Sequence, residues 1–156
     1  AAPLGNAKVQ YVGSSDDAQL NARIPRFQPD SKAAAMFFAD VDHHGRFSVP
    51  VISSHAINDS TVFVEGQAAL RQKMVAAGTA ERLVQTYVDS SEHSYWGDAH
   101  YPPLFNALLD WVVKGQKPTA EGIDQRCKQL NPTQAKDCRF LPNYAVKPIA
   151  SRIYPR

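Results

Sequence analysis

Residues 47–90, FSVPVISSHAINDSTVFVEGQAALRQKMVAAGTAERLVQTYVDS, alternate between two kinds of hydrophobic pattern. FSVPVISSHA and RLVQTYVDS are short and rich in β-branched residues, which is typical of strands. VFVEGQAALRQKMVAAG carries Leu70, Met74 and Ala77 at helical spacing and ends at Gly78. A second helix, YPPLFNALLDWVVKG, is predicted at residues 101–115. Strand–helix–strand–helix order predicts an α/β fold with parallel strands joined by crossovers.

The composition suits one soluble globular unit, since 44% of the 156 residues are hydrophobic and 21% are charged. Seventeen basic and fifteen acidic residues are interspersed, for a net charge of +2. This balance gives no reason to expect nucleic acid or an anionic membrane as a partner. No apolar run approaches the roughly 20 residues of a membrane span, so none is predicted.

Three segments are expected. Residues 1–46 mix helix and loop, with helices predicted in SSDDAQLNARI and DSKAAAMFFADVD. Residues 47–118 contain the two strands and two helices of the βαβα half. Residues 119–156 are polar and show little periodicity, so we predict a tail that wraps the surface.

Both cysteines, Cys127 and Cys138, lie in this tail, with no ligand nearby at zinc spacing. A disulfide between them would close a short loop and add about 3 kcal/mol of stability. We therefore expect a disulfide and a secreted or periplasmic protein. The alternative is two unrelated thiols in a cytosolic chain.

Two titratable residues come after the two predicted strands: Asp59 in INDS and His93 in SSEHSYW. Strands linked by one helix are usually neighbours, and functional groups gather beyond the carboxyl ends of parallel strands. An Asp beside a His can orient the imidazole and stabilise its protonated form. We therefore predict that Asp59 and His93 are catalytic, although each alone also fits an ordinary loop residue.

These motifs resemble the C-terminal half of α/β-hydrolases, and VQYVGSSDDAQLNARIPRF resembles a segment that precedes the acid strand in secreted bacterial members. VPVISSHAINDSTVFVEGQ is similar to the segment carrying their acid, and SSEHSYWGDAHYPPLFNALLDWVVKGQKP to the segment carrying their histidine. The resemblance covers residues 47–118 and implies a mostly parallel sheet with flanking helices. It also implies a serine hydrolase, most naturally of carboxylic esters, in which Asp59 is the acid and His93 the base.

The nucleophile motif of that family, Gly-x-Ser-x-Gly, is absent, because no two of the eight glycines lie four residues apart. Ser14 has a glycine on one side only and precedes a polar helix, so it is a poor candidate. The family also needs roughly 250 residues, above the usual domain size. We therefore expect an upstream chain or segment of the same hydrolase to supply the serine, the oxyanion hole and the first strands. This chain alone would be inactive.

Three alternatives remain open. The scaffold could carry an amidase, peptidase or lyase, since a fold does not determine the bond cleaved. The chain could be a non-catalytic binding domain of hydrolase ancestry. A metal-dependent hydrolase could use the His and Asp residues of DVDHHGRF and HSYWGDAH, although the adjacent His43 and His44 cannot share one helical face or one strand face.

Triad chemistry needs neither a metal nor an organic cofactor, so we predict none. Tyr95 and Trp96 flank His93. They could line a pocket for an ester substrate, or they could pack the histidine loop against the last helix.

Overall fold

A computed structural model describes residues 5–41, 43–130 and 132–148, except the side chain of Gln134. These residues fall into two compact units that divide between His43 and His44.

The first unit contains two helices, as the sequence predicts. Helix α1 spans Asp17–Arg23 and begins at Asp16, whose carboxylate accepts a hydrogen bond from Gln19 N. Helix α2 spans Ser31–Val41, and Asp30 accepts a hydrogen bond from Ala33 N at 2.8 Å. No side chain among residues 5–41 and 43 is buried, so the described part of this unit has no core of its own.

The second unit is α/β, which confirms the coarse prediction of fold class. Strands β1 (Val51–Ala56) and β2 (Leu83–Val88) pair in parallel, with Val51 opposite Leu83 and Ala56 opposite Val88. Helix α3 (Glu65–Ala76) and a short 3₁₀ turn (Ala80–Arg82) connect them. Strand β1 begins later than FSVPVISSHA suggests, because Pro50 has no N–H to donate to a ladder.

Helices α4 (Tyr101–Lys114) and α5 (Ala120–Leu130) cover one face of this sheet. Gly115 ends α4 in the left-handed conformation with φ at 70°. Asp110 on α4 forms an ion pair with Arg126 on α5 at 2.7 Å. Buried residues from both strands, both helices and the chain after α5 form a single core cluster: Val84, Val88, Ala99, Ala107, Ile123, Cys127, Cys138 and Phe140, with Ile52, Trp96, Leu104 and Trp111 packed against it.

The prediction of a surface tail after residue 118 is wrong for the described residues. Helix α5 buries Ile123 and Cys127 completely, and Phe140 is only 6% exposed. The sequence did not reveal this helix, because Ile123 and Cys127 are its only buried apolar residues. Two apolar positions are too few to form a recognisable apolar stripe. The Thr119 side chain begins the helix by accepting a hydrogen bond from Gly122 N at 3.0 Å.

The segment after α5 also pairs with β2. Leu141 N donates to Tyr87 O and Asp89 N donates to Arg139 O, both at 2.8 Å, so residues 139–141 run antiparallel beside the end of β2. Fully buried His100 anchors this segment, because its Nε2 accepts a hydrogen bond from Arg139 N at 3.2 Å. Burial lowers the pKa of His100, which keeps the ring neutral and Nε2 available as an acceptor.

The expected disulfide between Cys127 and Cys138 is present and lies inside the core cluster. Among the described residues, no helix combines the length and the apolar character needed to cross a membrane.

Replacing both cysteines by alanine should lower the free energy of unfolding by about 3 kcal/mol, because the unfolded chain regains the entropy of a closed loop. Urea denaturation of oxidised wild type, reduced wild type and the double variant measures this. Reduced wild type should match the double variant closely, and equal midpoints for all three would contradict the prediction.

Candidate active site

The sheet itself holds the two candidate loops together. Parallel pairing continues past both strands, because Ile57 N donates to Val88 O at 3.0 Å and Asn58 N donates to Ser90 O at 3.1 Å. The loop that carries Asp59 and the loop that carries His93 therefore leave the same edge of the sheet side by side.

Asp59 is held in one orientation within its turn. Its Oδ1 accepts hydrogen bonds from Thr61 N at 2.7 Å and Val62 N at 2.9 Å, while Oδ2 faces His93. The residue is only 3% exposed. The backbone N–H of Val62, followed by the hydrogen bond with His93, lowers the pKa of Asp59 to about 2 against the opposing effect of burial. Asp59 is therefore a carboxylate at neutral pH.

His93 contacts Asp59 through one ring nitrogen and leaves the other open. Its Nδ1 lies 2.8 Å from Asp59 Oδ2. Because an ionised carboxylate can only accept, Nδ1 carries the proton and donates it, which leaves a lone pair on Nε2 of the neutral ring. The His93 side chain is 47% exposed, and no described residue forms a hydrogen bond with Nε2. This is the arrangement in which an imidazole can accept a proton from a nucleophile.

Three further residues hold the His93 loop, and of these only Trp96 was expected, as one of two alternatives, to pack that loop. Ser90 Oγ accepts a hydrogen bond from Glu92 N at 3.1 Å. Trp96 Nε1 donates to Glu92 O at 3.0 Å, and the Tyr101 hydroxyl donates to Ser94 O at 3.1 Å. Backbone carbonyls on both sides of His93 are thus tied to side chains. The Ser90 contact is a local serine turn, whereas the Trp96 and Tyr101 contacts depend on how the loop folds back.

The two aromatic residues beside His93 both contact the start of α4. The rings of Tyr95 and Trp96 each lie 6.0 Å from the Tyr101 ring, in stacked arrangements. Tyr95 is 57% exposed and its hydroxyl donates to Asp98 at 2.7 Å. Trp96 is half-buried and packs against the core cluster. A substrate-binding role for either side chain stays a prediction.

The remaining candidates have other contacts. The Ser14 hydroxyl donates to Asp17 Oδ1 at 2.6 Å, next to α1. His100 is engaged with backbone groups of Arg139 and Gly97. Within the part of the chain that the structure describes, no three His, Cys, Asp or Glu side chains are grouped as metal ligands. Asp42, part of the metal-site alternative, lies outside the described residues.

Comparison with known proteins adds no identification: no family model matches the chain, and neither a curated protein nor a solved structure does.

The lowered pKa of Asp59 predicts a specific pH dependence of stability. Its folded value of about 2 is below the ordinary 3.8, so the charged form stabilises the fold fully above about pH 4, and this contribution is lost as pH falls towards 2. Asp59→Asn should therefore be less stable than wild type at pH 6, and the difference should shrink between pH 4 and pH 2.

Thermal unfolding across this pH range provides the measurement. Asp40→Asn, which changes an exposed carboxylate on α2, is the matched control and should stay close to wild type throughout. If the difference in stability between wild type and Asp59→Asn is constant from pH 6 to pH 2, the charge of Asp59 does not stabilise the fold.

Proposed function

We propose that this chain is the C-terminal part of a serine hydrolase that cleaves carboxylic esters, with Asp59 and His93 as two members of its triad. One observation carries the proposal: a buried, ionised carboxylate forms a 2.8 Å hydrogen bond with Nδ1 of a histidine whose Nε2 is open. Two residues 34 positions apart meet this way at adjoining strand ends.

In the proposed reaction, His93 Nε2 takes the proton of a serine hydroxyl as its oxygen attacks the ester carbonyl. The imidazolium formed is stabilised by Asp59 through Nδ1–H. His93 then gives that proton to the leaving alkoxide, and a water molecule repeats the sequence to release the acid. Asp59 keeps its charge throughout, consistent with a pKa of about 2.

The serine and the oxyanion hole belong, in this proposal, to an upstream chain or segment. Apolar surface beside the Asp59–His93 pair supports a covering partner, since Val62, Phe63 and Tyr95 are each about half exposed. Among the described residues, β1 pairs only with β2, so its other edge can accept a further strand.

Exposed apolar helix faces, taken in each unit by itself, also support a covering partner. Helix α4 exposes Phe105, Leu109 and Val113 along one face. Helix α2 exposes Met36 by 64% and Phe37 by 48%, and buries no residue. Apolar helix faces are normally stabilised by packing against another surface. An exported location is part of the proposal and is supported by the disulfide, which persists in oxidising compartments.

Removing the imidazole should abolish catalysis by the complete assembly. We expect His93→Ala to lower kcat/KM for p-nitrophenyl acetate by about a thousandfold or more, and Asp59→Asn by a comparable factor, because both act on one proton transfer. His44→Ala, which removes an exposed histidine from the same unit, should leave turnover close to wild type. Unchanged activity in His93→Ala would refute the assignment.

A fluorophosphonate probe locates the nucleophile. Labelling of a co-purifying upstream polypeptide, lost in His93→Ala, supports the proposal. Turnover of p-nitroacetanilide in preference to the ester would favour the amidase alternative. If chelators abolish the activity and no polypeptide is labelled, the metal alternative is favoured. If there is neither labelling nor turnover, the non-catalytic binding domain is the alternative that fits.

A further inference from the structure

The face of the sheet beneath α3 is polar, in contrast to the apolar face beneath α4 and α5. Gln85 Nε2 donates to Gln67 O at 2.8 Å and to Gln67 Oε1 at 3.2 Å, and Ser53 Oγ also donates to Gln67 Oε1. Gln85 is 8% exposed, and its Oε1 accepts a hydrogen bond from Arg71 Nε at 2.8 Å. A nearly buried amide therefore sets the position of the Arg71 guanidinium.

A cavity of about 370 Å³ opens beside this network. Its walls come from α3, from β2 and from the chain after residue 141: Ala68, Arg71, Gln85, Tyr87, Pro142, Tyr144, Ala145 and Val146. The volume lies in the range of small-molecule sites. The cavity shares no residue with the Asp59–His93 pair, so a ligand bound in it would not depend on the proposed hydrolase activity.

The lining of the cavity carries positive charge and no negative charge among its described residues. Among the described residues that form it, Arg71 is the charged one and none carries a carboxylate. The contact with Gln85 uses Nε, and no described residue forms a hydrogen bond with the two terminal nitrogens of Arg71. Those nitrogens present the donors with which a guanidinium binds planar anions such as carboxylate.

Two tyrosines form an aromatic wall of the same cavity. The rings of Tyr87 and Tyr144 lie 4.9 Å apart at 54°, and Tyr87 is 8% exposed. No described residue forms a hydrogen bond with the Tyr87 hydroxyl, and burial raises the pKa of this phenol, so it stays protonated and able to donate. The Arg71 cation and the Tyr87 hydroxyl donor suit an anionic group, and the aromatic surface suits a flat apolar group attached to it.

We propose that this cavity binds a small organic monocarboxylate with a planar apolar group. The terminal nitrogens of Arg71 hold the carboxylate, and the apolar group lies against Tyr87 and Tyr144.

Benzoate is the probe, added to the isotope-labelled chain together with any polypeptide that co-purifies with it. Amide resonances of Arg71, Gln85 and Tyr144 should shift and saturate with a Kd of about 1 mM or tighter, as small ligands of this size reach. Benzamide has the same shape without the charge and should bind at least about tenfold more weakly. If the shifts have not saturated at a benzoate concentration about ten times this Kd, the proposal is overturned.

Variants test the cation directly. Arg71→Gln should weaken benzoate binding at least about tenfold, whereas Arg46→Gln, at an exposed site outside the lining, should leave the Kd unchanged. Benzamide binding as tightly as benzoate would exclude carboxylate recognition even if Arg71→Gln failed to fold. Inorganic phosphate binding as tightly as benzoate would identify a general anion site and overturn the aromatic part of the proposal.

Discussion

The parallel pairing of β1 with β2 is the interaction on which the rest of the second unit depends. Its hydrogen bonds continue beyond the strands through Ile57 and Asn58, which carries both loops out from one edge. A slip of one residue would turn Val84 and Val88 away from the core and move the Asp59 turn away from His93. The same register therefore determines the core and the candidate site.

The two faces of this small sheet have different stabilising interactions. On the α4–α5 side, β2 contributes Val84 and Val88 to an apolar cluster that also contains the Cys127–Cys138 disulfide. On the α3 side, the intervening residues Gln85 and Tyr87 meet a polar network and a cavity. Alternation along a strand allows both environments, because successive side chains point to opposite faces. The fully buried β2 thus serves an apolar core and a hydrogen-bonded layer at once.

Much of the architecture was predictable because its signals are local. Short windows of the sequence show the glycine that ends α4, the prolines Pro102 and Pro103 at its start, and the β-branched runs of both strands. The proximity of Asp59 and His93 was predictable from the rule that strands joined by one helix are neighbours. Helix α5 was not predictable, because its buried side is made by Ile123, Asp124 and a disulfide-bonded cysteine, which form no apolar stripe.

By itself, the sequence determined the βαβα order of residues 47–118 and the positions of Asp59 and His93 at strand ends, because periodicity and punctuation act over a few residues. Only the tertiary structure decided the 2.8 Å contact, the open Nε2, the positioning of the His93 loop by Trp96 and Tyr101, and the Arg71 cavity. The Asp59–His93 contact and the cavity join residues far apart in the chain, and the Trp96 and Tyr101 contacts depend on how the loop folds back. Their geometry depends on the packing of whole elements, which no local pattern specifies.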